Sequence, residues 1–371
     1  MTTVSQHTAK VALVHYWLVN RNGGGERVIE ALCELFPQAD IFTHCVDPTK
    51  LSHTLEQHTI KTTFINRMPF SKRFYKHYLP LMPLALEQVD LSEYDLVISS
   101  ESGPAKGIIA PATTKHICYC HTPMRYLWDH KDAYLAEANP LIRLFMIPIF
   151  HYLRLWDVLS AKRADAIVAN SSAVAARIKR WWGCEAEVIP PPVDTEYFKT
   201  FINEEPGDYY LFAGRLVRYK RADLAIKACE QLGKRLVVVG QGEEMKALKS
   251  MAGPKVEFRG EVEREELARL YAGCQALLFP GEEDFGIVPI ETMAAGRPVI
   301  AYARGGALDY ITDKNGLFFN QDTPESLAKA ILRFEADLTF DPITISAQAS
   351  RFGRDHFKGA FMAAISRVSK G

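Results

Sequence analysis

The sequence predicts an α/β protein of two doubly wound domains, and three observations carry that expectation. Short apolar runs alternate with longer segments of helical period along nearly the whole chain. The runs are continuously apolar instead of alternating, the pattern of strands buried on both faces of a parallel sheet under helices. Eleven such runs occur, at 10–16, 39–43, 96–99, 115–120, 166–170, 187–189, 209–213, 235–239, 256–259, 276–279 and 299–302, more than one twisted sheet holds comfortably. The domain boundary falls at Ile189-Pro190-Pro191-Pro192-Val193-Asp194-Thr195, because three prolines neither continue a helix nor sit in a central strand. Expected domains are therefore 1–190 and 191–350. A final segment, 351–371, carries Phe352, Phe357, Phe361, Ile365 and Val368 at helical spacing.

Composition narrows the class. Of 371 residues, 48% are hydrophobic and 24% charged, as in ordinary globular proteins. Lys+Arg and Asp+Glu both number 44, so the chain presents no global basic field for nucleic acid. The seven cysteines are odd in number and scattered, and Cys118-x-Cys120 lies inside an apolar run; core cysteines in a reducing cytosol are expected. Residues 1–10 are polar and 11–18 short and strand-like, so no cleavable leader is expected. The most apolar segment, 140–156, is interrupted by Arg143, Pro148, His151 and Arg154. It falls short of the roughly 20 apolar residues of a span, and a buried or interfacial helix is expected.

In chain order, the first run leads into Asn20-Arg21-Asn22-Gly23-Gly24-Gly25-Glu26, with a helix expected from Arg27. Three glycines allow backbone to approach a phosphate closely, or form a flexible loop. Segment 61–86 interleaves Lys61, Arg67, Lys72, Arg73 and Lys76 with Phe64, Phe70, Phe74, Tyr75 and Tyr78. It reads as a solvated helix or as a surface for an anionic bilayer or lipid diphosphate. His121 ends run 115–120 and precedes Arg125, Tyr126, Trp128 and Asp129, which suit either a sugar acceptor or the core. Asn170-Ser171-Ser172 is an N-cap signature without a catalytic role.

In the second half, Gly214-Arg215 and Lys220-Arg221 follow a run's C-terminal end, where open α/β sheets bind ligands. A planar fork beside a point charge suits a diphosphate; a solvated basic face is the alternative. Gly240-Gln241-Gly242 begins a dinucleotide pattern but has Met245 at its third glycine position, which disfavours a nicotinamide enzyme. The most informative stretch is Gly281-Glu282-Glu283-Asp284-Phe285-Gly286-Ile287-Val288-Pro289-Ile290-Glu291, followed by Ala295-Gly296-Arg297-Pro298-Val299. A helix is expected from near Phe285, with Glu283 on the turn before it and Glu291 about two turns along. A helix start attracts anionic groups, and the two carboxylates can each bind a sugar hydroxyl. A nucleotide-sugar site follows. No plausible loop carries Asp-x-Asp or metal-ligand spacing, so no metal and no cofactor besides the donor are expected.

These motifs resemble, over essentially the whole chain, the retaining family 4 glycosyltransferases (glycosyl transferases group 1). The resemblance implies the GT-B fold, two Rossmann-like domains facing each other across a cleft. The first would bind acceptor and be completed by the C-terminal helix 351–371; the second would bind the nucleotide sugar. It places Gly23 and Gly24 at the donor phosphates and His121 at the transferred sugar. Arg215 and Lys220, matching Gly-Arg-x4-Lys, would neutralise the leaving diphosphate without metal. Glu283 with the backbone of Phe285, Gly286 and Ile287 would hold sugar hydroxyls, Glu291 the ribose, and the Val262 backbone the base. Asp309, after Gly305-Gly306, would lie near the sugar, and Arg125, Tyr126, Trp128 and Asp129 near the acceptor.

Tyr119-x-His121-Thr-Pro-x-Arg125-Tyr-x-Trp128-Asp129 and Glu283-Asp-Phe-Gly-Ile-Val-Pro289 look most like mannosyltransferases of bacterial surface-polysaccharide assembly. GDP-mannose is thus favoured over UDP-glucose or UDP-galactose, with a glycan or lipid-linked saccharide as acceptor. The enzyme is expected in the cytoplasm, with a peripheral contact to anionic membrane through 61–86. Two rivals are a GT-B sugar-nucleotide epimerase or hydrolase and a non-catalytic nucleotide-sugar-binding partner.

Overall fold

The computed structural model describes residues 9–19, 23–129, 131–337 and 339–369. The expectations drawn on 1–8, on Asn20, Arg21 and Asn22, and on 370–371 lie outside those residues. Thirteen strands form two sheets among the described residues, and every pairing is parallel. The chain divides into two compact units, 1–191 with 357–371, and 192–356.

The first unit holds β1 (Val11–His15), β2 (Asp40–Thr43), β3 (Ile60–Thr62), β4 (Leu96–Glu101), β5 (Lys115–Cys120), β6 (Ala166–Ala169) and β7 (Glu187–Val188), in the order β3-β2-β1-β4-β5-β6-β7. Alternate residues of β1 feed opposite cores, which is why the strand is apolar throughout. Val11 and Leu13 pack with Val28, Ile29 and Leu32 of the helix Gly24–Leu35 and with Phe357 and Phe361 of the last helix, Arg354–Val368. Ala12 and Val14 pack with Leu86, Phe150, Leu153 and Trp156. Phe352, grouped with the terminal helix from its spacing, instead belongs to the second unit's core, on a separate 3-10 turn ended by Gly353.

The second unit holds β8 (Tyr209–Ala213), β9 (Arg235–Val239), β10 (Val256–Gly260), β11 (Leu277–Phe279), β12 (Val299–Tyr302) and β13 (Gly316–Phe319), in the order β10-β9-β8-β11-β12-β13. One face packs Leu211, Val237 and Leu277 on Ile290 and Met293 of the helix Ile287–Ala294. The other packs Phe212, Val238 and Ile300 on Leu224 and Leu327.

Two helices start away from the positions expected from the sequence. The helix expected from Arg27 begins at Gly24. Gly25 fits there because it lacks a side chain: a Cβ would collide with the Tyr16 hydroxyl. The helix expected near Phe285 begins at Ile287, because Gly286 (φ 89°) holds a conformation that L side chains avoid. The apolar segment at 140 forms one helix, Pro140–Ala161, that continues through the exposed Pro148. By length and composition it could cross a membrane, yet Phe150, Leu153, Trp156 and Asp157 tie its second half into the first unit.

That tie is partly ionic. Lys106, Glu101 and Asp157 have no solvent exposure; the Lys106 ammonium lies 2.5 Å from Asp157 Oδ1 and 3.3 Å from Glu101 Oε1. The backbone N–H groups of Ala105 and Lys106 both donate to Glu101 Oε2, and the indoles of Trp128 and Trp182 donate to Asp157 Oδ2. Removing the cation alone strands two carboxylates in the core. Lys106→Met is therefore expected to lose about 3–5 kcal/mol in urea unfolding. A loss below about 1 kcal/mol would mean that the cluster is hydrated and carries little weight.

Candidate functional site

Each unit gathers its candidate residues at the C-terminal ends of its strands. In the second unit, Gly214 follows β8 and adopts φ 146°. Gly240, after β9, presses on it so closely that a Cβ would collide with the Gly214 carbonyl; likewise a Cβ on Gly242 would collide with the Leu216 backbone. The glycines of Gly240-Gln241-Gly242 are therefore explained by loop-on-loop packing.

This support carries the turn Arg218–Lys220, where the Lys220 ammonium meets Glu283 Oε1 at 2.6 Å, both side chains mostly buried. Arg215 projects exposed from the same loop, without a side-chain partner among the described residues. The Glu283 loop is pinned from behind: Gly306 N–H donates to the Glu283 carbonyl at 2.9 Å, and a Cβ on Gly305 (φ 63°) would strike that oxygen. The Gly-Gly turn at 305 thus has a backbone role, while Asp309 stands half-exposed, its carbonyl accepting from Arg351.

Phe285 is a buried prop, its ring against Tyr310 and Phe352, and Tyr310 OH donates to its carbonyl at 2.9 Å. That places Gly286 and Ile287 at the start of the helix. Glu291, on the same helix, is buried and accepts from Tyr271 OH at 3.0 Å. Val262 is half-buried against the same core. The structure brings Lys220 and Glu283 into contact; Glu291 faces inward towards Tyr271.

In the first unit, Gly23 is the N-cap of the first helix and Gly24 its first residue; a Cβ on Gly23 would strike the Glu26 carboxylate. Burial raises the Glu26 carboxyl to about 7. His121 follows β5. Its N–H donates to the Glu101 carbonyl and its carbonyl accepts from Asn170, so Asn170 holds this loop while Ser171 caps its helix. Its Nε2 lies 2.8 Å from Ser100 Oγ, and Ser100 Oγ lies 3.0 Å from His15 Nδ1. Burial lowers His121 to about 4, so the ring is neutral at physiological pH.

The proposed acceptor wall is largely engaged with the protein. Trp128 stacks on Trp181 at 4.8 Å and donates to Asp157; Asp129 pairs with Arg177 at 3.2 Å; Tyr126 OH donates to Met124 Sδ. Arg125 is half-buried. His15, Ser100 and Glu26 were missed, although Val14-His15 and Ser99-Ser100-Glu101 show polar groups closing apolar strands. Among the described residues, no three His, Cys, Asp or Glu side chains gather as metal ligands.

Comparison with known proteins identifies the family and the fold. The family profile of glycosyl transferases group 1 matches residues 193–343, and that of glycosyltransferase family 4 matches residues 22–197. An uncharacterised glycosyltransferase of Methanocaldococcus jannaschii is 30% identical over 75% of this chain and 76% of its own. The alpha-1,3/1,6-mannosyltransferase ALG2 of Homo sapiens is 27% identical over 69% of both chains. Against other curated relatives the chain spans about half their length, 58% and 51% in two instances. The Anabaena Alr3699/HepE structure in complex with UDP superposes with a TM-score of 0.71 at 18% identity, covering 96% of this chain and all of that one, which establishes the fold. Two doubly wound parallel sheets, two adjoining family profiles and this superposition make the chain a GT-B protein belonging to the group 1, or family 4, glycosyltransferases.

Proposed function

We propose that the chain is a metal-independent, retaining hexosyltransferase that moves mannose from GDP-mannose to a glycan or lipid-linked saccharide. The observation that carries the reading is the Lys220–Glu283 contact beside the start of the helix Ile287–Ala294. There one cation and one carboxylate sit ready to divide between a diphosphate and a sugar. Lys220 and Arg215 would take up the charge that grows on the leaving diphosphate, and Glu283 with the Phe285–Ile287 backbone would hold sugar hydroxyls. Glu291 would bind ribose, the Val262 backbone the base, and Gly23 and Gly24 the phosphates. His121 would contact the sugar. On a front-face path the acceptor hydroxyl attacks the anomeric carbon as the bond to the diphosphate breaks, and a diphosphate oxygen takes the hydroxyl proton.

The similarity to human ALG2, named a mannosyltransferase, supports mannose. The Anabaena structures with UDP and UDP-glucose keep a uridine donor as the second reading. Product analysis with and without an acceptor separates transfer from epimerisation or hydrolysis.

The reading includes an anionic membrane surface, cytoplasmic in orientation, under the first unit. Segment 61–86 contains no acidic residue; Phe70 is 78% exposed, and Arg67, Lys72, Arg73 and Lys76 are exposed. Lys61 is not available to this surface, being bound to Asp40 and Tyr94. The helix Pro140–Ala161 adds exposed Leu141, Leu144, Phe145, Leu155 and Leu159, and its one acidic residue, Asp157, is buried. Both elements pack on one core, and Trp156 donates to Glu87, the residue that follows the segment.

Three outcomes follow. Glu291→Gln should weaken GDP binding about tenfold or more in calorimetry, the worth of a hydrogen bond to a charged group; unchanged affinity removes the ribose assignment. Lys220→Ala and Arg215→Ala should each slow transfer about a hundredfold or more while wild-type turnover survives EDTA. A strict requirement for added divalent metal would count against that site. Replacing Arg67, Lys72, Arg73 and Lys76 by Ser should abolish low-salt co-sedimentation with anionic liposomes and leave GDP binding intact. Equal sedimentation of variant and wild type would leave the patch a solvated face.

A further inference from the structure

His15, Ser100 and His121 come from three chain segments that only the parallel register brings together. His15 ends β1 and pairs in register with Ser100 of β4, while β5 beside it delivers His121 one residue past its end. His15 and Ser100 are fully buried, and the two imidazoles touch the same hydroxyl, at 3.0 Å and 2.8 Å. Both rings are neutral, because burial lowers His15 well below its ordinary range and His121 to about 4.

A serine hydroxyl has one proton to donate and two lone pairs to accept with. If both rings donated, the buried Ser100 hydrogen would be left without an acceptor, because its side-chain contacts among the described residues are these two rings. Two arrangements remain that pair every proton. Either His15 Nδ1–H donates to Ser100 and Ser100 donates to His121 Nε2, or the whole chain runs in reverse. The far end of His15 separates them. Its Nε2 is buried without a protein partner, and the adjoining Cε1 lies 3.4 Å from where a Gly25 Cβ would stand, against the first turn of the helix Gly24–Leu35. A helix start is partially positive and offers N–H groups, so it stabilises a lone pair on Nε2 and disfavours a proton there. The His15 proton then sits on Nδ1, and the chain runs from His15 through Ser100 to His121.

We propose that His15 and Ser100 are positioning residues that hold His121 as its neutral Nδ1–H tautomer, presenting a hydrogen-bond donor, and not a base, to its ligand. Nδ1 has no protein partner among the described residues, which leaves that N–H for a ligand oxygen. Protonating His121 while His15 keeps its Nδ1–H would make both rings donors to Ser100 and strand the serine hydrogen. The geometry therefore opposes a proton on His121 Nε2.

The tautomer is read directly from nitrogen-15 shifts and two-bond couplings of histidine-labelled protein at pH 7, with His15→Gln and His121→Gln giving the assignments. The expected result is a protonated Nδ1 and bare Nε2 on His121. A proton on Nε2, or a charged ring, in the wild type overturns the proposal whether or not any variant folds. Ser100→Ala should move His121 towards the Nε2–H form that solvated neutral imidazole prefers, and Ser100→Thr should keep the wild-type pattern; an unchanged pattern in Ser100→Ala also overturns it. The functional arm rests on the reading of His121 as a sugar contact. With GDP-mannose turnover as readout, Ser100→Ala should lose about tenfold in kcat/KM, the worth of roughly one hydrogen bond, and Ser100→Thr should recover it. Loss of that effect with the tautomer pattern intact would remove the sugar contact and leave the tautomer assignment standing.

Discussion

Parallel pairing is the constraint on which the rest of this structure depends. Every described strand runs parallel to its neighbours, so all strands of a unit end on one edge, and the connecting helices must cover both faces. Covering both faces demands strands that are apolar throughout. Ending on one edge demands that polar residues leaving the strands meet there. His15, Ser100 and His121 meet in this way, as do the Gly214, Gly240 and Gly281 loops around Lys220. Core composition and site position are two outcomes of one hydrogen-bonding pattern.

Much of the fold was legible because burial on both faces leaves a plain mark. The central strands β5, β8, β9 and β12 stand where continuous apolar runs place them. Two edge strands left no such mark. In β3, Lys61 and Thr62 face solvent, so Ile60-Lys61-Thr62 has one apolar residue; β13 opens on Gly316, which reads as a turn. The first lacks the apolar run because it faces solvent, and the second because a glycine opens a run of only three apolar residues.

The candidate site was legible to the extent that its residues lie in local motifs. Lys220 and Glu283 are named by separate strings 63 positions apart, and the sheet joins them. The His15–Ser100–His121 chain depends on register between strands, which no local pattern encodes. The Lys106 cluster is hidden for a different reason. Glu101, Lys106 and Asp157 each read alone as surface charges, and only their mutual neutralisation admits them to a core. Trp128, an aromatic that suited a sugar, is committed to that cluster through its indole N–H.

The last helix also fixes an order of assembly. Phe357 and Phe361 complete the core built on Val11, Leu13 and Tyr119, yet they follow those strands by the entire length of the second unit. On a ribosome the first sheet must wait with one face incompletely covered while residues 192–356 are made and can fold. Closing so long an excursion costs only slightly more chain entropy than closing a short one, because the penalty grows logarithmically. The cost is one of time. During synthesis the aromatic patch around Tyr119 is open to chaperones or to other nascent chains, and a truncation before Phe357 would leave it so permanently.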